Sequence, residues 1–332
     1  MVVKGRIPFH TITYLRFNSK KAVMKYTLLT LFLLVSCSRA KEQLPETAST
    51  AIPETYSFSG KPLYPKTTDS AALAKSESII TAIRSKEDLS EDDFIDIGRQ
   101  LVGTNRFNLT INNYGQGLEK FPQSFKLLRH RGHRYINLRQ LDNAIADLTR
   151  AEELIRPQPE VWELDAAGKP TSTYQHQIWY HIGLYHFLMK NYTEAAAAFE
   201  KSLASATGGR NIAGASDWLY NAYQRSDEKG KIENLLKPFT PEFDIDDKDY
   251  PYYRRLLLFN GIITPEELID VKKPIDQMSL TEMTKLYGLA IWYRYRGESA
   301  KANELCMKIL ESKEWAGFAY AAAELDVAED EN

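Results

Sequence analysis

Two glycines, Gly98 and Gly132, lie 34 positions apart in a chain of 332 residues, and the residues around them repeat with the same spacing. A similar segment surrounds Gly183, and another surrounds Ala290. A period near 34 residues is typical of stacked helix–turn–helix units. Because one such unit cannot bury its apolar face alone, it has to pack on its neighbours. We therefore expect an all-α solenoid with an extended binding surface rather than an enclosed catalytic pocket.

The four segments place small residues where the two helices of a unit cross most closely, with bulky residues around them. This pattern resembles the tetratricopeptide repeat (TPR) family, and the resemblance covers roughly residues 91–209 and 283–316. It implies a right-handed α-solenoid of antiparallel helix pairs. A large side chain at a small position would push the two helices apart. The residues that the resemblance assigns to this packing are Gly98, Gly132, Ala144, Trp179, Gly183, Ala195, Ala290 and Ala302.

The period is interrupted between Gly132 and Gly183 and again before Ala290, which follows Gly183 by 107 positions, three periods plus five. Gly132 and Gly183 are 51 positions apart, one period plus 17, and the extra residues are roughly 158–174. Turn residues between two β-favouring runs predict a short hairpin or an ordered loop there. We expect an N-terminal helix and three clear repeats over 71–209. Degenerate helical pairs, the clear copy near 283–316 and a C-terminal helix would then fill 210–332.

The first 37 residues differ in kind from the rest. Six Lys and Arg residues and no acidic residue lie between Met1 and Lys25, and an apolar run then ends at Cys37. The run is too short to span a bilayer and is typical of a secretory signal over 1–36, with Met24 as an alternative start. A buried core segment or an uncleaved signal anchor is the alternative interpretation. The four residues that end at Cys37 resemble the lipobox of bacterial lipoproteins.

That resemblance implies an acylated Cys37, and Ser38 after it favours the outer membrane, with the protein facing the periplasm. Residues 37–70 carry several prolines among polar residues, and we expect them to form a flexible tether.

Composition and motifs argue against several functions. The formal net charge of −2 gives no reason to expect nucleic acid as a partner. No phosphate-binding loop, nucleophile elbow or zinc-protease motif is present in the sequence. Histidines that follow one another at intervals of five on a helix do not converge on one metal ion. We therefore predict no metal, no cofactor and no catalytic residue, and the less favoured enzyme hypothesis places a site in 210–282.

The family resemblance also indicates which residues line the concave groove of the stack. It implies a basic part that contains Arg99, Lys126 and Arg129, and an apolar part that contains Tyr180, Leu184 and Phe187. His133 and Asn137 lie between the two parts, and Trp162 of the insertion is a further candidate anchor. A peptide with an acidic group and an apolar anchor fits such a groove. Alternatively, the insertion or a neighbouring helix covers Leu184 and Phe187.

These observations together predict a lipid-anchored, non-catalytic scaffold that binds a protein or peptide partner in the bacterial cell envelope. The alternative from another class is a lipoprotein that binds a glycan or another ligand on a platform of exposed aromatic side chains.

Overall fold

The computed structural model of the protein describes residues 52–165 and 167–330. Cys37 and the signal segment lie outside the described residues. The described part is built from helices and two short hairpins. Its helices are α1 Ser70–Arg84, α2 Glu91–Gly103, α3 Phe107–Lys120, α4 Phe125–Asn137, α5 Leu141–Ile155, α6 Tyr174–Leu188, α7 Tyr192–Ala204, α8 Gly208–Arg225, α9 Ile232–Leu236, α10 Pro251–Phe259, α11 Pro265–Leu268, α12 Leu280–Tyr295, α13 Ser299–Leu310 and α14 Phe318–Asp330.

The clear repeats are the helix pairs α2–α3, α4–α5, α6–α7 and α12–α13. The first pair packs on the second, the second packs on the third, and the third packs on α8. Several helices begin at a side-chain cap. Ser90 and Ser279 form capping boxes with Asp93 and Glu282, so each cap satisfies backbone donors that the first helical turn leaves unpaired. The predicted all-α, TPR-like solenoid is confirmed.

Three periodic glycines mark the closest approach of the two helices in their repeats. A Cβ atom added at Gly183 would lie 2.6 Å from Phe199 Cε1, and one at Gly132 would lie 2.8 Å from Leu148 Cγ. At Gly98 it would overlap the ring of Tyr114. In each case the obstructing side chain follows its glycine by 16 positions, so the same contact recurs in three repeats. The small residue is required because the facing helix leaves no room for a methyl group.

A second periodic feature ends the first helix of each clear repeat. Asn105, Arg139, Lys190 and Gly297 have positive φ angles between 58° and 82°. Each follows the small residue of its repeat, at position 98, 132, 183 or 290, by seven positions. A left-handed residue at this point turns the chain back for the second helix. The shared geometry shows that the copy around Ala290 has the same register as the first three.

Between the third repeat and the last, the helices are unequal. The long helix α8 is followed by the five-residue α9, and α10 is followed by the four-residue α11. Trp218 of α8 is completely buried, and Arg255 of α10 lies beside it with Nε 3.0 Å from Asp217 Oδ1. Burial raises the pKa of Asp217 to about 7, against the opposing effect of Arg255. The region is thus held by a large aromatic residue and a buried ion pair rather than by the repeat pattern.

The insertion forms the predicted hairpin. Strands β3 (Trp162–Leu164) and β4 (Pro170–Thr173) pair antiparallel, with an irregularity between Glu163 and Leu164. Thr173 also caps α6, because its side chain accepts a hydrogen bond from the backbone of His176. The hairpin is therefore joined directly to the first helix of the third repeat.

The prediction of a flexible tether over 37–70 needs correction for its described part. Residues 52–69 run along the repeats and contain a second hairpin, β1 (Thr55–Tyr56) with β2 (Pro62–Leu63). Leu63 is buried, and the backbone oxygen of Tyr64 accepts a hydrogen bond from Trp315 Nε1. The segment is ordered because the side chain of Leu63, which lies among its prolines, is buried in the core.

The C-terminal segment closes the repeat stack on itself. Arg139 of the second repeat donates a hydrogen bond of 3.1 Å to Glu324 of α14, and both side chains are buried. Asn137 Nδ2 donates to the backbone oxygen of Ala316 at 2.7 Å. The ring of Phe318 lies against His133, with 5.2 Å between the ring centroids. The inner face of the second and third repeats is therefore occupied by residues of the same chain.

Candidate functional site

The apolar part of the predicted groove is not an open surface. Leu184 and Phe187 are completely buried, and Trp218 of α8 packs edge-on against the ring of Phe187. The neighbouring helix therefore covers both residues, which is the alternative that the sequence left open. Tyr180 is partly buried and faces Phe318 at a centroid distance of 6.5 Å. The expectation of an open apolar groove here is corrected, because α8 stacks on the third repeat.

The predicted basic part of the groove is neutralised by acidic side chains. Arg129 is buried, and its Nη1 donates to Glu163 of the hairpin at 3.1 Å. Arg99 donates to Asp96 at 2.9 Å, and its other nitrogen donates to the backbone oxygen of Leu164 at 2.6 Å. The hairpin thus sits on the first two repeats and supplies the carboxylate that Arg129 requires. The prediction of an exposed, basic Arg129 is corrected for this reason.

Lys126 is also paired, although it lies nearer to solvent. Its ammonium nitrogen is 3.0 Å from a carboxylate oxygen of Glu91 and 3.2 Å from one of Asp92. These hydrogen bonds raise the pKa of Lys126 against the opposing effect of burial, which is the largest single influence. Both acidic residues belong to the first turn of α2, where a negative charge also complements the helix dipole.

His133 and Asn137 face the interior of the closed stack. The ring of His133 lies between those of His181 and Phe318, with centroid distances of 4.1 Å and 5.2 Å. Burial and the neighbouring Arg134 hold the pKa of His133 well below its usual value, so the ring is neutral at pH 7. Asn137 is buried and His133 is partly buried, and both line a cavity of about 390 Å³ that is partly open to solvent.

Trp162 is the predicted site residue that projects from the surface. It is 43% exposed, and Leu164 on the same strand is 44% exposed. Successive strand residues point to opposite faces, so Trp162 and Leu164 share one face while Glu163 between them is buried. Together with Arg99 and Lys126 they line a cavity of about 280 Å³ between the hairpin and the first repeats.

The hairpin is held firmly enough to present these two side chains in one position. Thr171 donates a hydrogen bond to the backbone oxygen of Glu163, and Asn211 of α8 donates to that of Thr171. Beneath the strand, Glu163 contacts both Arg129 and Arg99. A few residues, often Trp, carry most of the binding energy of protein interfaces, so an exposed and supported Trp162 is a candidate anchor. We define the hairpin face as Trp162, Leu164, Arg99 and Lys126.

The described residues show little that suggests a reactive centre. No group of three or more His, Cys, Asp or Glu side chains in the described chain is arranged to hold a metal ion. Burial raises the pKa of the Cys306 thiol to about 12, so this cysteine is not ionised at neutral pH. In the same part of the protein, no helix has the length and apolar character needed to cross a bilayer.

Comparison with known proteins gives one family match. A tetratricopeptide repeat model matches residues 176–206, which correspond to α6 and α7. The sequence matches no curated protein. A tetratricopeptide repeat protein from Parabacteroides merdae is similar over 75% of this chain and 92% of its own, with 16% identity and a TM-score of 0.44. A MamA protein is similar over 68% of this chain and 92% of its own, with 15% identity and a TM-score of 0.37.

Proposed function

We propose that this protein is a lipid-anchored, non-catalytic scaffold of the bacterial cell envelope, and that it holds a protein partner through the hairpin face. TPR folds commonly serve as scaffolds for protein–protein interaction, and the repeat is present here in sequence and in structure. The observation that carries the proposal is the exposure of Trp162 and Leu164 on a supported strand. The inner groove, in contrast, is covered by the protein's own C-terminal segment.

The chemistry of the hairpin face favours a protein partner with an apolar pocket. Trp162 and Leu164 supply the apolar contact area, and the two cations beside them already have carboxylate partners. Paired charges at the rim contribute more to orientation and specificity than to affinity. A glycan platform requires aromatic side chains side by side for the sugar rings, whereas Trp162 has an aliphatic neighbour on its strand. We therefore favour the scaffold over the glycan-binding alternative.

The proposed anchor restricts where the partner is held. Cys37 precedes the first described residue, Ile52, by 15 positions. A fully extended chain spans at most about 3.3–3.6 Å per residue, so the folded part begins within roughly 50 Å of the membrane surface. The segment that can act as a tether is shorter than the predicted 37–70, because residues 52–69 belong to the folded part. The partner is thus held close to the outer membrane, on its periplasmic side.

The interaction is tested with a double substitution on the hairpin face. Trp162→Ala with Leu164→Ala should reduce recovery of the partner by roughly tenfold or more when the protein is captured after cross-linking in whole cells. The matched control is Leu109→Ala with Met307→Ala, since these side chains are 51% and 58% exposed on other elements. Equal recovery with both double variants, at unchanged unfolding temperature, would reject the hairpin face as the binding surface.

The anchor is tested separately. Cys37→Ala should move the protein from the membrane fraction to the soluble fraction, because the acyl chains provide the attachment. The distribution of the wild-type protein between inner-membrane and outer-membrane fractions on a density gradient then tests the proposed location. If Cys37→Ala stays in the membrane fraction, the proposal of a lipid anchor at Cys37 is wrong. The interaction through the hairpin face is tested independently by the double substitution.

A further inference from the structure

A cavity of about 390 Å³, partly open to solvent, lies where the C-terminal segment packs against the second repeat. Its apolar lining includes Phe107, Tyr252, Leu280 and Phe318, and its polar lining includes Arg134 and Asn137. Cavities of roughly 300–1,000 Å³ with an apolar wall and a few converging polar groups are typical of small-molecule sites. A second cavity of about 230 Å³ adjoins it, because Tyr252 and Phe318 line both.

Arg134 differs from the other cations of α4. Lys126 pairs with Glu91, Arg129 with Glu163 and Arg131 with Asp147. Among the described residues, no carboxylate lies within ion-pair distance of Arg134, whose guanidinium contacts the ring of His133 instead. Arg134 is partly buried, and a cation that is removed from water without a counter-ion carries a desolvation cost. Burial lowers the pKa of Arg134 to about 10, so the guanidinium remains charged at neutral pH.

The other lining groups leave this positive charge uncompensated. Glu314 is the acidic residue of the lining, and it forms an ion pair with Lys66. His133 is neutral, as described above. Because a guanidinium can only donate, the His133 Nδ1 atom in contact with Arg134 is an acceptor, and the ring carries its proton on Nε2. The lining therefore offers hydrogen-bond donors and one unpaired positive charge.

Asn137 adds a complementary acceptor. Its Nδ2 donates to Ala316, but its Oδ1 atom is buried and has no hydrogen-bond partner. The side chain is 5% exposed and lines the same cavity. Leaving a buried acceptor unsatisfied is unfavourable, so a ligand with a hydrogen-bond donor at this point gains from the contact.

We propose that this cavity binds a small organic carboxylate with an apolar body and a hydrogen-bond donor, in which Arg134 holds the carboxylate and Asn137 accepts the donor. The aromatic side chains around Phe318 enclose the apolar body. Arg134 can form two parallel hydrogen bonds to a carboxylate, which gives both affinity and orientation. Because the wall includes Ala316 and Phe318, the occupied cavity also strengthens the closure between the C-terminal segment and the second repeat.

The test combines a ligand-independent measurement with a binding measurement. Arg134→Met should raise the unfolding temperature of the protein without ligand, because it removes a partly buried charge that has no counter-ion. The matched control is Arg131→Met, which should lower the unfolding temperature, since Arg131 is paired with Asp147 on the same helix. A lower unfolding temperature for Arg134→Met would show that Arg134 is structural and would overturn the proposal.

The binding measurement uses N-acetylphenylalanine, indole-3-acetate and phenylacetate at millimolar concentration, each compared with its neutral amide. At least one carboxylate should raise the unfolding temperature by roughly 2–4 °C. Its amide should not, and Arg134→Met should weaken its binding by roughly 10- to 100-fold. Equal effects of acid and amide, no effect of all three acids, or unchanged binding to Arg134→Met would each contradict the assignment.

Discussion

The contact between Gly183 and Phe199 is the sharpest test of the repeat packing. A methyl group at position 183 would lie 2.6, 2.7 and 2.8 Å from three atoms of the Phe199 ring. Ring carbons and methyl groups normally approach no closer than about 3.5 Å. The ring is completely buried between Tyr180 and Trp218, with centroid distances of 5.9 and 6.4 Å. Since the ring cannot move aside, Gly183→Ala has to push α6 and α7 apart.

The size of the effect follows from two opposing contributions. Replacing a glycine within a helix by alanine favours the folded state by about 0.5–1 kcal/mol. An extra methyl group in a fully packed contact costs about 1–3 kcal/mol. The expected net loss of stability for Gly183→Ala is therefore up to about 2.5 kcal/mol, with a midpoint near 1 kcal/mol, which is roughly 2–4 °C in unfolding temperature.

Gly115→Ala is the matched control. Gly115 lies inside helix α3, and the nearest atom to an added Cβ is Arg131 Nη1 at 3.8 Å. This variant should be more stable than the wild type by about 0.5–1 kcal/mol, because the gain in helix propensity is not opposed by a clash. The two alanine substitutions should therefore change stability in opposite directions.

Urea unfolding, followed by circular dichroism, measures these differences, and a third variant identifies their cause. Phe199→Leu removes part of the ring, so Gly183→Ala should be less destabilising in its presence than alone. The coupling between the two substitutions should be roughly 0.5–3 kcal/mol. If Gly183→Ala stabilises the protein as Gly115→Ala does, or if the two effects at 183 and 199 simply add, the proposed helix contact is refuted.

Three further predictions concern other parts of the fold. Gly297→Ala should lower the free energy of unfolding, measured in urea, by about 1–2 kcal/mol, because φ is +82° at this residue. Gly103→Ala should be neutral or stabilising, since Gly103 has an ordinary φ and an added Cβ would meet no atom within 4 Å. Burial lowers the pKa of His176 to about 4, so the folded protein keeps this ring neutral and loses stability as the pH falls from about 6.5 towards 4. In His176→Gln, the slope of the unfolding free energy against pH in this range should decrease by the equivalent of about one proton. An unchanged slope would contradict the assignment. Arg139→Met leaves Glu324 buried without its cation. In this variant the amide hydrogens of α14 should exchange much faster than those of α5. Uniform exchange in the two helices would show that the pair does not hold the C-terminal segment.

The repeats were predictable because their information is local and periodic. Gly132 and Leu148 are 16 positions apart on adjoining helices, and the same pair of roles recurs at the same spacing in other copies. The hairpin was predictable for a similar reason, since turn residues separate two short β-favouring runs. The left-handed residues were missed because three of the four, Asn105, Arg139 and Lys190, are not glycines and give no composition signal.

The groove could not be predicted because distant segments of the chain fill it. Arg129 was expected to be exposed, but its partner Glu163 lies on the hairpin, and no pattern on α4 indicates that pairing. Phe318 reaches His133 across 185 positions of sequence, and the sequence gives no sign of this contact. The unequal helices α8–α11 make that closure possible, because the strict repeat pattern is absent between the two segments that meet.

In the proposed interaction the partner is held at the hairpin face and not in the repeat groove. A photo-activated cross-linking amino acid placed at position 162 in whole cells distinguishes the two surfaces, with position 307 on α13, which is 58% exposed against 43% for Trp162, as the control. We expect one dominant adduct of defined mass from position 162 that is absent from position 307 and that is lost when Leu164→Ala is added. Cross-linking at position 307 but not at position 162, or equal adducts from both positions, would show that the hairpin face is not the binding surface.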